Sequence, residues 1–121
     1  MPTINISPTV TLDLIAKAND QVSFPFVVLD DSSSPVNFSG MTNAKMTLKD
    51  NELLSEVISF SSTGTTYTID ISNRTLGALT VNCNSLAIPA DEYFYDFQVG
   101  NTTNKITVMQ GKFIVMSDIT N

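Results

Sequence analysis

The 121-residue chain has no histidine and no tryptophan, one cysteine, five glycines, and six Lys or Arg against twelve Asp or Glu. Each shortage removes a class of chemistry. Without histidine the usual general base and the commonest metal ligand are gone. The thirteen serines therefore cannot build a Ser-His-Asp triad, and no Ser-Lys motif stands out. The single Cys83 excludes an internal disulfide and offers no companion thiol for a zinc site. No glycine-rich phosphate loop is present. Scattered cations and a net charge of −6 argue against a nucleic-acid partner. No apolar run approaches the roughly 18 to 20 residues that span a bilayer. The start, Met1 to Val10, lacks a basic stretch followed by an apolar block, so no membrane partner and a cytosolic folding compartment are expected. No cofactor or metal is expected.

What is present points to strands. Ser, Thr and Asn supply 39 residues, mixed with Val, Ile, Phe and Tyr, and helix-favouring residues are comparatively sparse. Residues 1–9, with Pro2 and Pro8, read as an extended arm ahead of one domain over 10–121. Alternation predicts strands over Val10–Ile15, Val22–Leu29 and Ala44–Lys49, with Ala44, Met46 and Leu48 inward. Further strands are predicted over Leu53–Phe60, Thr66–Ile71 and Leu76–Val81. The Leu53–Phe60 pattern also fits a short helical turn. Pro25 cannot donate a ladder bond, which puts the second strand at an edge or gives it a bulge.

The segment EYFYDFQVGNTTNKITVMQGKFIV, residues 92–115, holds five of the ten aromatics. Period-2 geometry places Tyr93, Tyr95, Phe97 and Val99 on one face of a strand, with Phe94, Asp96 and Gln98 on the other. A polar turn and a returning strand follow, with Ile106, Val108, Phe113 and Val115 as core candidates and Gly111 as the expected bulge or bend. Tyr93 follows the corner Pro89-Ala90-Asp91, where sandwich proteins place a tyrosine whose hydroxyl ties the corner down. Seven to eight strands, turn signals every eight to twelve residues and no βα alternation predict an all-β fold, an immunoglobulin-like antiparallel β-sandwich.

Asp30-Asp31-Ser32-Ser33-Ser34-Pro35 is the clearest loop. Its two aspartates lack an EF-type calcium spacing, and a solvated hairpin connection is the simpler reading. Asp91, Glu92 and Asp96 are the only paired carboxylates suited to acid–base work, and no cleft is foreseen around them. The Asn-x-Ser/Thr matches at Asn5, Asn37, Asn73 and Asn101 are expected by chance in so Asn-, Ser- and Thr-rich a chain.

The order Tyr93-x-Tyr95-Asp96, a polar turn, Gly111-Lys112-Phe113-x-Val115 and Asp118-Ile119-Thr120 resembles the immunoglobulin-like domain of bacteriophage structural proteins. The likeness is to the N-terminal domains of baseplate upper proteins and to related tail or head-fibre attachment domains. Asp13-Leu14, the Asn19-Asp20 turn, and Val36-Asn37-Phe38-Ser39-Gly40 before Ala44-Lys45-Met46 are similar in style, with Asn37 where Asp is usual. The resemblance implies a non-enzymatic virion protein of head, neck, tail or baseplate, folded in the host cytoplasm. Its implied partners are other virion proteins, in a homo- or hetero-oligomer of a symmetric assembly. The contact elements expected are the arm with Pro2, Ile4 and Pro8, the loop with Asp30, Asp31 and Pro35, and the tail with Asp118 and Ile119. Tyr93, Tyr95, Phe97 and Phe113 are expected in the core and tyrosine corner. The alternative is a glycan- or receptor-binding module mediating adhesion, which exposure of Tyr67 or Phe94 would favour.

Overall fold

A computed structural model describes residues 3–5, 10–30 and 32–117, and these are all-β apart from one 3-10 turn at Arg74–Leu76. The strands are β1 (Thr3–Asn5), β2 (Val10–Thr11), β3 (Leu14–Lys17), β4 (Val22–Leu29) and β5 (Asn43–Asp50). They continue as β6 (Glu56–Ser61), β7 (Tyr67–Asp70), β8 (Ala78–Cys83), β9 (Asp91–Gly100) and β10 (Lys105–Met116). β1 and β2 are short, and β3 to β10 are the eight longer strands. Hydrogen bonding runs β1-β4-β8-β7-β6-β5-β9-β10-β2, with β3 also on β10.

The expectation of a purely antiparallel arrangement needs correcting, because the sheet is mixed. β1 pairs in parallel with β4, β2 and β3 pair in parallel with β10, and β6 meets β7 in parallel. The last junction consists of one residue pair, Ser61 with Thr68. Both early strands run beside a strand far away in sequence, and that geometry leaves no trace in local alternation.

Period-2 burial explains most of the core. In β5, Ala44, Met46 and Leu48 are fully inward, and in β9 so are Tyr93, Tyr95, Phe97 and Val99. Phe113 is the hub, with ring centroids 6.0 Å from Phe24, 6.4 Å from Tyr95 and 6.5 Å from Phe60. Phe26 meets Phe97 edge-on at 6.1 Å. Such stacked and edge-to-face pairs add to simple area burial. Among the described residues β1 covers only Val27–Leu29, so the upstream half of β4, including Pro25, has a strand neighbour on one side, β8.

Four local readings change. The predicted Val10–Ile15 strand breaks into β2 and β3, because Leu12 and Asp13 turn over Gly111. Gly111 is not the bulge, since the register shifts between Thr107 and Met109, where Val108 and Met109 are buried in succession. Ile106 is 46% exposed, because it lies at the open rim of the core beside a cavity. Leu76 belongs to the 3-10 turn and is exposed. β8 starts only after Gly77, whose φ is +70° and whose Cβ would stand 2.6 Å from the Val28 carbonyl oxygen.

Candidate functional site

The aromatic hairpin is built as a structural seam. The Tyr93 hydroxyl donates to the Pro89 carbonyl at 2.6 Å and fastens the corner before β9. Burial, then the charges of Asp91 and Asp50, push its phenol pKa up. The Tyr95 hydroxyl donates to the Leu12 carbonyl, and burial followed by the Asp13 charge raises its pKa far above the usual phenol range. Leu12 is held further by its N–H on Gln110 O (2.9 Å), and the Lys112 N–H donates to Asp13 Oδ1 at 3.1 Å. Gly111 lies directly opposite Tyr95 in the register, and a Cβ there would stand 2.4 Å from Leu12 O. Tyr67 is half-buried, edge-on to Phe60 at 5.3 Å, and its hydroxyl accepts the Ala87 N–H. All three phenol oxygens are therefore engaged inside the fold.

The expected contact residues are scattered. Pro2, Pro8, Asp31, Asp118 and Ile119 lie outside the described residues. Ile4 stands opposite Val28 in the β1–β4 ladder. Asp30 Oδ1 accepts the N–H groups of Ser32 (2.9 Å) and Ser34 (3.0 Å), so that carboxylate organises its own loop. Pro35 is exposed and bridges to Leu29.

The acidic trio does not converge. Glu92 and Asp96 share the outward face of β9 but sit four residues apart, about 13 Å along a strand and beyond the roughly 5 to 10 Å of a glycosidase pair. Each has its own cation, Lys112 for Glu92 (3.3 Å) and Lys49 for Asp96 (3.9 Å). Asp91 Oδ1 accepts the Glu92 N–H. The Cys83 thiol is buried, and burial raises its pKa away from the reactive thiolate. Among the described residues no cluster of three or more His, Cys, Asp or Glu could hold a metal, and no helix is long and apolar enough to cross a membrane.

Two exposed apolar features escaped sequence reasoning. The first is the outward face of β3, β10 and β9. Ile15 (58% exposed) pairs with Ile114, Lys17 pairs with Met116 (52% exposed), and Phe94 (40% exposed) lies between Lys112 and Lys49. Only knowledge that β3 joins β10 in parallel aligns these residues. The second is the β5–β6 turn, where Leu53 and Leu54 are 80% and 59% exposed. An adjacent leucine pair cannot place both members inward on a strand, and that was the available signal. An apolar cavity of about 220 Å³ opens between Phe38, Met41, Val99 and Ile106, flanked by Asn101 and Asn104.

No protein-family model matches the chain, and no curated protein matches its sequence.

Proposed function

We propose that the chain is a non-enzymatic structural subunit of a bacteriophage virion, built as an immunoglobulin-like sandwich. Three features support the sandwich. The order β1-β4-β8-β7 matches one layer of that fold, and β6-β5-β9-β10 matches the other. The lone Ser61–Thr68 pair then marks where the layers meet. Tyr93, at the start of β9 and tied back to Pro89, takes the position of the tyrosine corner.

The observation that carries the docking role is the outward face with Ile15, Ile114, Met116 and Phe94. Ile15 and Ile114 pair side by side there, with Met116 and Phe94 on the same face among Lys17, Glu92, Lys112 and Lys49, and Met and aromatic residues are enriched at protein interfaces. Open strand edges, the arm and the loops supply further contacts by strand addition. Repetition in a symmetric particle turns weak single contacts into stable attachment. The virion address itself rests on the residue resemblance, which covers most of residues 10 to 120. Partners are other virion proteins, not nucleic acid or membrane, and the subunit is incorporated after folding in the host cytoplasm.

One observation favours the second reading, glycan or receptor binding: Phe94 is exposed, with Asp96 two residues along the same face. Immunogold labelling of intact particles, with serum raised against the chain, separates the two. Discrete label at capsid, neck or tail supports the structural role. No label, together with absence of the chain from disrupted particles, removes that role and leaves the binding module.

A further inference from the structure

A polar hollow of about 240 Å³ lies on the outward face where β6, β5, β9 and β10 run side by side. Two cross-strand rows build it. In the first, Lys45 of β5 stands between Ser61 of β6 and Gln98 of β9. In the second, two residues further along, Gly100 stands between Asn43 of β5 and Lys105 of β10. The middle member of that row has no side chain, so the floor is left open between its neighbours. Glycine is required there, because a Cβ would stand 2.3 Å from the Asn104 carbonyl oxygen.

Both walls are held in place. The Asn101 side chain accepts the N–H groups of Thr103 and Asn104 at 2.8 Å, which shapes the turn that delivers Lys105. On the other side Ser62 Oγ accepts the Ala44 N–H and the Ser62 N–H donates to Ala44 O, both at 3.0 Å. That clamp sets Ser61 and Thr63 against the hollow. Their hydroxyls lie 3.0 Å apart and share one hydrogen, so the other hydroxyl hydrogen can donate to a ligand oxygen.

The charge of the hollow opposes that of the chain. The protein carries −6, yet two of its six cations line this one hollow and no acidic residue does. Lys105 has no ion pair among the described residues. Lys45 has one, at 3.7 Å to Glu56, which does not line the hollow. Beside the two ammonium groups stand the amides of Asn43 and Gln98 and the hydroxyls of Ser61 and Thr63, which both donate and accept.

We infer that this hollow binds a sugar acid, a six-membered ring bearing one carboxylate and several hydroxyls. Lys45 and Lys105 meet the carboxylate, and the amides and hydroxyls meet the ring hydroxyls. The volume exceeds the roughly 150 Å³ that admits a benzene ring, which leaves room for ring substituents. The site is distinct from Phe94 and does not depend on the virion role.

The test titrates glucuronate into the isotope-labelled full chain and follows its amide resonances, with glucose and inorganic phosphate as comparisons at matched ionic strength. Saturable shifts centred on residues 43–45, 61–63 and 98–105 are expected, with a Kd on the order of 1 mM. Glucose and phosphate should each bind at least about fivefold more weakly, and added salt should weaken glucuronate binding. Lys105→Ala should weaken it about fivefold; the side chain is exposed, so the fold is kept. Glu56→Gln frees Lys45 and should tighten binding about twofold. Glucose binding as well as glucuronate would remove the carboxylate from the account, and phosphate binding as tightly would reduce the hollow to a bare anion site. No saturation, or binding indifferent to both variants, would overturn the inference outright. None of these results touches the particle labelling that tests the structural role.

Discussion

The β9–β10 hairpin and the β6–β7 junction hold the same sheet by opposite means. From Gly100–Lys105 to Asp91–Val115 the hairpin is paired along almost its whole length, with one shift at Val108. Between β6 and β7 a single pair, Ser61–Thr68, carries the ladder, and the edge contact of Phe60 with Tyr67 spans the opening. Where the backbone is paired, side chains are free to specialise, and the hairpin uses Tyr93, Tyr95 and Gly111 to fasten distant segments. Where pairing lapses, aromatic packing has to supply the closure. Local opening is therefore expected to start at the junction rather than in the hairpin.

The largest expected effect comes from the hub shared by both regions. Phe113→Ala should cost about 3–5 kcal/mol in urea unfolding, because Phe24, Phe60 and Tyr95 all lose a ring neighbour. Next, Gly111→Ala should cost about 2–3 kcal/mol, since its Cβ meets the Leu12 carbonyl. The same change at Gly40, where a Cβ meets nothing within 4 Å, should shift the unfolding midpoint little, which isolates the close approach as the cause.

Tyr95→Phe leaves the Leu12 carbonyl without its hydroxyl donor and should cost about 1–3 kcal/mol near neutral pH. It also changes the alkaline response. The fold favours the neutral phenol, so this stability is complete below the unfolded-state pKa of about 10 and is lost as pH rises past it toward the raised folded value. Wild-type stability should therefore fall from about pH 10 upward, and the variant should fall less steeply over that range. Parallel slopes would mean that Tyr95 does not hold its proton through the fold.

The smallest effect probes the junction. Tyr67→Phe removes the acceptor for the Ala87 N–H and should cost about 0.5–1 kcal/mol by thermal unfolding. Amide exchange should show β6 residues 56–59 opening well before the paired core of β9, and the variant should widen that gap. Equal protection in the two strands would erase the distinction between them.

Strand content and inward faces were legible because alternation is uninterrupted in β5 and broken only by Phe94 in β9, so apolar residues mark one side. Tyr93 was legible as a corner tie because its partner lies only four residues upstream. The role of Tyr95 was not, because its acceptor is 83 residues away. Gly111 suggested a bulge for the same reason, as nothing nearby in the chain announces Leu12 overhead. The outward row Ile15–Ile114 depends on a parallel partnership between the two termini of the domain, which local periodicity cannot encode. Leu53 and Leu54 extend the apolar pattern of β6 in the sequence, and that hydrophobicity masks the Asp50-Asn51-Glu52 turn signal just before them. The arm, the 30–35 loop and the tail stand out in the sequence as proline-bearing, acidic or terminal segments, whereas the large exposed apolar side chains among the described residues lie elsewhere.

The proposed virion role is tested most directly by quantitative mass spectrometry of purified particles, with the chain counted against the major structural proteins. The account predicts a fixed copy number, a small multiple of the particle's symmetry, that survives stringent washing. A chain abundant in the lysate but absent from the particles would contradict it.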